Sequence, residues 1–338
     1  MDVKFAATSR PGAPQDLVQW VREAEDLGYD RIGIADSPAL YREAWVSVTQ
    51  VALNTSKVPF GPWVTNPVTR HPVVTASAAV AVDELAQGRV CIGIGSGNSG
   101  VYNAGRKASS VAALREYVLA LRALLEEGEA VYQGGPARLR WAKKPIPIYM
   151  AAHAERSLRL AGEVADGVVI GAGTTPEVVK GSLEALADGA RSAGRDTRDI
   201  DVWWSVPFNL RMSERSALDP QGGPAREANY LARFTLEGKF IPEQHKEGIK
   251  MLAAAYDLTT HGRPTSEQLE RYDRLAQDLG VRDYLLERFG GISGTPDECI
   301  EKLKRNAEMG VTQYSINLPD SDRPARLRRM RKLVISKL

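Results

Sequence analysis

Apolar residues in this chain fall into short unbroken runs, separated by helix-length stretches with apolar positions at three- and four-residue spacing. Val3 to Ala7 reads as a strand stopped by Ser9-Arg10-Pro11-Gly12. Pro14 to Leu27 reads as a helix with Leu17, Val18, Val21, Ala24 and Leu27 on one stripe and Gly28 at its end. Arg31 to Ala35 follows as a second strand, completing a right-handed βαβ unit. A helix over Glu43 to Leu53 leads to a third strand, Val58 to Val64, which Thr65-Asn66-Pro67 ends. Val73 to Ala86 is apolar or small all round, as a helix pressed on a sheet is, and Val90 to Gly95 reads as a parallel strand buried on both faces.

The same alternation continues. A helix over Val111 to Leu125 precedes Gly128 to Trp141, where alternation around Gly-Gly-Pro predicts a β-hairpin. The fifth strand is Ile146 to Ala151, the sixth Gly167 to Ile170 and the seventh Asp201 to Leu210. Helices over Ala154 to Val164 and Pro176 to Ser192 separate them. Helix Pro296 to Met309, ended by Gly310, leads to an eighth strand, Gln313 to Leu318. Eight strands alternating with helices predict a (β/α)8 TIM barrel as one 338-residue domain. A doubly wound open sheet fits less well, since the first βα turn has no G-x-G-x-x-G. Arg211 to Gly290 breaks the spacing with polar, partly helical sequence (Glu227 to Leu236, His245 to Ala255, Ser266 to Leu279). It reads either as a lid with packing helices or as an insertion serving subunit contacts.

Composition narrows the class. A 43% hydrophobic content supports a large core, and 44 Lys and Arg against 42 Asp and Glu leave no field to recruit nucleic acid. The basic tail R-P-A-R-L-R-R-M-R-K reads as a solvated last helix. Cys91 and Cys299, the only cysteines, suggest neither a disulfide framework nor a metal site. The start M-D-V-K-F-A-A-T-S-R-P-G has no apolar signal region, and no apolar run approaches the ~20 residues of a membrane span. A cytoplasmic protein is expected.

Parallel α/β folds bind ligands beyond the strand C-termini. Asp36, Asn66, Gly97 and Asn98 stand there with donors and acceptors for a ring edge carrying N–H and C=O groups, and Gly95-Ser96-Gly97 lets backbone approach closely. Ala152-His153-Ala154-Glu155 and Gly171-Ala172-Gly173-Thr174 each lead from a strand into a helix and are candidate anion cradles. Of His71, His153, His245 and His261, His71 reads as a loop-holding residue. His153 is the acid/base candidate among them, with a role in orienting phosphate equally open, and it joins Asp36 and Asn98 as the candidate catalytic residues. Trp45, Trp63, Trp203, Trp204 and Phe208 could line an apolar pocket, core packing being the safer assignment for Trp203 and Trp204. No hydrolase triad or metal-ligand spacing stands out.

Five runs, in order, resemble the luciferase-like flavin and deazaflavin oxidoreductases, in the branch typified by methylenetetrahydromethanopterin reductase. They are N-T-S-K-V-P-F-G-P-W-V-T-N-P-V-T-R-H-P, G-R-V-C-I-G-I-G-S-G, I-P-I-Y-M-A-A, L-A-G-E-V-A-D-G-V and G-T-P-D-E-C-I-E-K-L. The resemblance implies the barrel, a cis non-prolyl peptide at Trp63–Val64, Val64 behind a flavin-like ring, and Thr65 and Asn66 along its edge. It also implies phosphate at the loop holding Ala152 to Glu155, and a homodimer. Three positions depart from the family: Trp63 where it often has a small residue, Asn98 where the reductase branch has an acid, and Asp36-Ser37 where that branch has Asp-His. The loop after the fifth strand also carries Ala-Glu where Gly-Pro is frequent. Two enzymatic readings follow. In one, reduced FMN, bound or supplied by a separate flavin reductase, reacts with O₂ and oxygenates a small organic substrate. In the other, coenzyme F420 passes hydride directly. The departures at Asp36-Ser37 and Asn98 tilt the expectation slightly towards FMN. A non-catalytic flavin-binding protein is the third reading.

Overall fold

The computed structural model describes residues 2–210, 223–257, 265–317 and 323–338. His261, residue 318 of the expected eighth strand, and 211–222 and 258–264 of the long insertion lie outside the described residues. Eight parallel strands form the barrel: β1 Lys4–Ser9, β2 Arg31–Ile34, β3 Phe60–Pro62, β4 Ile92–Ile94, β7 Ile148–Ala152, β8 Gly167–Ile170, β9 Asp201–Leu210 and β11 Gln313–Asn317. Their hydrogen-bonded order is β3-β2-β1-β11-β9-β8-β7-β4. Short parallel bridges, Phe60 to Val90 and Thr65 to Ile94, bring β3 against β4 and close the ring. The expected (β/α)8 barrel is therefore present.

Closure depends on a missing side chain. A Cβ on Gly61 would stand 1.8 Å from the Cys91 carbonyl oxygen, so only glycine lets β3 approach β4 this closely. At the far end the barrel floor is charged. Arg31 opens β2, and its Nη2 reaches Tyr149 Oη at 2.8 Å and Asp201 Oδ2 at 3.3 Å. Its guanidinium also lies 4.2 Å from the Tyr149 ring centroid and 5.1 Å from those of Trp63 and Trp203. Trp63, Tyr149, Trp203, Ala6, Cys91 and Val169 fill the barrel interior as a cluster separate from the main core. That core lies between the strands' outer faces and the surrounding helices, and holds Trp204, Trp45 and Phe208.

The first helices are α1 Pro14–Asp26, α2 Ala44–Asn54 and α3 Pro72–Ala86, followed by a short α4 Ser99–Tyr102 and α5 Val111–Glu126. The hairpin β5 Glu129–Tyr132 and β6 Gly135–Arg138 is present, but it turns at Gln133 and Gly134, with φ of 51° and 75°. Pro136 therefore sits inside β6, tolerated because this two-stranded ribbon is all edge. Helices α6 Glu155–Val164 and α7 Pro176–Ser192 follow, and the insertion contributes α8 Gly223–Ala232, α9 Glu243–Ala254, α10 Ser266–Asp278 and α11 Arg282–Phe289. Helix α8 ends earlier than its sequence suggests, because Lys239 Nζ donates to the carbonyls of Leu231 and Arg233 at 2.6 and 2.7 Å and caps its C-terminus. A short β10, Ile292–Gly294, extends parallel to the end of β9 and precedes α12 Pro296–Glu308. Its three residues are too few to show as a pattern in the sequence. The basic tail forms α13 Arg323–Leu333, which buries Leu327 and Met330 in the main core. Among the described residues no helix is long and apolar enough to cross a membrane, and no cluster of His, Cys, Asp or Glu could hold a metal ion.

Replacing Gly61 with Ala forces β3 and β4 apart. The expected loss is at least ~1–3 kcal/mol, as for an overpacked core, read as a lower urea midpoint at unchanged slope. A midpoint equal to the parent's would contradict this account of closure.

Candidate active site

Most of the predicted site residues gather at the C-terminal mouth of the barrel. The Trp63–Val64 peptide is cis, as expected from the resemblance. The Trp63 ring turns down into the barrel, and its Nε1 donates to Ser315 Oγ on β11 at 2.9 Å. Gly33 makes room for it, since a Cβ there would lie 2.7 Å from Trp63 Cβ. A bulky residue at this position is thus matched by a missing one on β2. Val64 packs on the same interior cluster from the mouth side, half-buried.

Beside it, Thr65 backbone is held between Gly93 and Gly95: its N–H donates to Gly93 O at 2.8 Å and its carbonyl accepts from Gly95 N at 2.9 Å. The Thr65 hydroxyl donates to Asp36 Oδ2 at 2.6 Å, and both side chains are buried. Burial pushes the Asp36 carboxyl above its ordinary range. The Thr65 hydrogen bond and the Arg70 charge pull against this, and Glu43 adds to it. Arg70 is itself paired with Glu43. One residue on, Ser37 Oγ lies 2.6 Å from Ser99 Oγ, tying the β2 loop to α4.

Other predicted residues are placed here but already engaged. The Asn66 side-chain oxygen accepts from the N–H groups of Val68 and Thr69 at 2.9 and 3.0 Å, so it folds its own loop. Its amide nitrogen is the end left for a ligand. Gly97 adopts φ of 101° and packs on Val101, and Asn98 Oδ1 accepts from Arg233, which arrives from the insertion. At the loop after β7, the N–H groups of His153 and Ala154 lean on Ser157 Oγ at 3.3 and 3.2 Å, and that of Glu155 donates to Gly238 O at 2.7 Å. The Glu155 carboxylate pairs with Arg159. The main-chain donors of this expected phosphate cradle are thus turned to partners within the chain. Gly95 and Ser96 continue from β4 towards this mouth, where Ser96 O accepts from Ser109 N at 2.8 Å.

His153 lies against Gly171 and meets the Tyr230 ring edge-on at 5.3 Å. Its Nδ1 is shielded and has no hydrogen-bond partner among the described residues. Burial lowers its pKa to about 4. Lys239 lowers it first among the charges, Arg233 contributes less, and the Gly171 backbone offsets part of the fall. At neutral pH this imidazole is uncharged, which suits it to packing or accepting rather than giving up a proton.

No local pattern marks the residues that the insertion brings to the mouth. Arg288 on α11 is buried, and its Nε donates to Ala172 O at 2.7 Å and its Nη2 to Lys239 O at 2.6 Å. It also reaches Tyr284 Oη at 2.6 Å. Gly173 touches the Arg288 backbone, with φ of 102°. One guanidinium thereby fastens the Ala172-Gly173 loop, the end of α11 and the turn after α8 together. Tyr230, Arg233 and Lys239 reach the mouth by the same route.

The luciferase-like monooxygenase family model matches residues 2–313, and the chain belongs to that family. It is 29% identical over 314 residues to the 5,10-methylenetetrahydromethanopterin reductase of Methanolobus tindarius, covering 90% of each chain. It is 25% identical to the F420-dependent glucose-6-phosphate dehydrogenase of Amycolatopsis mediterranei, over 100% of this chain and 98% of that one. Among solved structures, the coenzyme F420-dependent tetrahydromethanopterin reductase of Methanopyrus kandleri superposes with a TM-score of 0.75 at 24% identity, over 100% of this chain and 99% of that one. Together these make the chain a luciferase-like oxidoreductase of the branch named from its motifs.

The low pKa of His153 has a sign that can be tested. The unfolded chain takes up this proton near pH 6.5 and the folded chain only near about 4, so the residue costs stability increasingly as pH falls through that window. His153→Phe is expected to narrow the difference between urea midpoints at pH 7 and pH 5 relative to the parent. An unchanged difference would place a charged histidine at the mouth.

Proposed function

We propose that this protein is a coenzyme F420-dependent oxidoreductase that moves hydride between the deazaflavin and a small organic substrate at the C-terminal mouth of the barrel. What carries the reading is that a relative named as F420-dependent matches the chain from end to end. The expectation of reduced FMN and O₂ yields to F420 on this ground. When bound, F420 supplies or accepts a hydride at a ring carbon and does not use O₂.

The residues at the mouth fit such a group. Val64 offers a half-buried apolar side chain for the face of the ring, and the Asn66 amide nitrogen and the Gly97-Asn98 backbone offer donors for its pyrimidine edge. Asp36 holds its proton to higher pH than an exposed carboxyl would, because it is buried. With Thr65 fixing one oxygen, the other can give a proton to, or take one from, the substrate atom beside the reacting carbon. Tyr230 and Arg233 from the insertion cover this end and help exclude water, the part the lid reading assigns to 211–290. We also propose a homodimer, in which a second copy covers the exposed Val46, Leu53, Val74 and Leu85 of α2 and α3.

The reading is tested by turnover. Purified protein should interconvert oxidised and reduced F420 with a panel of small alcohols, carbonyl compounds and methylene-bearing pterins, without O₂. Asp36→Asn should lower kcat about 10²- to 10⁴-fold, the scale of general acid–base catalysis, with the Kd for F420 held within about twofold. Consumption of reduced FMN and O₂ faster than in buffer, with F420 ignored, would replace this reading by the monooxygenase. Tight cofactor binding with no turnover across the panel would favour the non-catalytic reading.

A further inference from the structure

Three cations that the insertion brings to the mouth form no hydrogen bond to a carboxylate among the described residues, although the Glu177 charge is felt at Arg288. Arg233, just beyond α8, reaches across to the loop after β4 and donates to Asn98 Oδ1, with its guanidinium 5.7 Å from the centroid of the Tyr102 ring. Among the described residues no carboxylate pairs with it: its partners are a neutral amide and an aromatic face. Behind it stand two further cations whose hydrogen bonds also go to uncharged groups. Lys239 donates to the Leu231 and Arg233 carbonyls, and Arg288 to three carbonyls and a phenol. Burial first, then the charges of Arg288 and Arg233, together lower the Lys239 pKa to about 8. Glu227, the nearby acid on α8, is already paired with Arg226. A guanidinium held this way carries unspent donors and an unneutralised charge beside a ligand site.

The turn that presents Arg233 carries a second mark. Phe234, the next residue, has φ of 64° and is 75% exposed. A bulky side chain in the left-handed region, with its ring in solvent, gains nothing from packing, and such backbone is concentrated where ligands are gripped. Lys239 Nζ pins the carbonyl of Arg233, and Thr235 N donates to the same oxygen at 2.9 Å, so the turn is held rather than loose.

We propose that Arg233, parked on Asn98 at the barrel mouth, recognises an oxyanion (a phosphate, phosphodiester or carboxylate) on the molecule that enters the site. Asn98 serves as the neutral rest position that the anion displaces. An acid at position 98 would neutralise the guanidinium that now meets a neutral amide. The asparagine therefore keeps Arg233 available. This inference rests on the proposed use of the mouth for cofactor and substrate, and the oxyanion can belong to either.

Binding assays on the full chain separate the sources. Parent, Arg233→Gln, Asn98→Asp and Asn98→Ala proteins are titrated with F420, with the deazaflavin riboside lacking phosphate, and with inorganic phosphate followed by ³¹P line width. If the oxyanion is the cofactor's, Arg233→Gln and Asn98→Asp weaken F420 at least about tenfold, the scale of one charge-assisted hydrogen bond, and leave the riboside unchanged. If it is the substrate's, both deazaflavins bind as in the parent, while phosphate binding to the F420-loaded protein is lost in Arg233→Gln and Asn98→Asp. In either case Asn98→Ala binds the anion as well as the parent does. An Asn98→Ala protein that fails like Arg233→Gln would show that the pair is only a structural tie, and would overturn the proposal. So would equal affinities for every ligand across parent and Arg233→Gln. If the parent binds neither deazaflavin, the F420 reading fails by itself. Phosphate on the cofactor-free protein then decides: loss in Arg233→Gln supports the oxyanion site, and equal or absent binding in the parent refutes it.

Discussion

The barrel closes where β3 lies against β4, and the candidate site is built on that seam. Gly61 permits the contact by putting a hydrogen atom where a Cβ would strike the Cys91 carbonyl. One step up the strand, Trp63 drops its ring into the barrel. Another step up, Thr65 is clamped between Gly93 and Gly95 by two main-chain hydrogen bonds. That clamp aims the Thr65 hydroxyl at Asp36 across the mouth and leaves Val64 as the apolar surface beside it. The closing contact and the candidate proton-handling group therefore belong to one short segment, and a shift in the seam would move both.

The two ends of the barrel are built with opposite chemistry. At the floor, Arg31 faces the Asp201 carboxylate, and Gln313 Nε2 reaches Asp201 Oδ1 at 2.7 Å, so the one cation there has an acid beside it. At the mouth, positive groups from the insertion meet carbonyls and amides rather than carboxylates. A balanced cluster serves stability at best modestly. Through Arg288 the insertion is fastened to the loop after β8, and through Arg233 it touches the loop after β4.

Much of this was legible in the sequence because buried parallel strands announce themselves as continuous apolar runs. The run Asp201 to Leu210 matches β9 end to end, and the Gly-rich loop after Val90 to Gly95 marks the mouth. Other features depend on partners far along the chain and leave no local trace. Gly33 reads as an ordinary strand glycine until Trp63 is seen to need its space. Asn66 looks free to meet a ligand until its oxygen is found folding its own loop, and the N–H groups after β7 look open until Ser157 and Gly238 take them. Arg233, Lys239 and Arg288 lie in the polar, partly helical insertion, where nothing local singles them out. Only the packing of α8 and α11 brings them together.

The central claim is that this mouth binds a deazaflavin against Val64, above the Trp63 ring. The direct measurement is titration of the cofactor-free protein with F420 and with FMN, followed by intrinsic tryptophan fluorescence in the parent and in Trp63→Phe. Saturable quenching by F420, reduced in Trp63→Phe, with no saturable response to FMN, is the predicted result. Tight binding of FMN with F420 ignored would contradict the account.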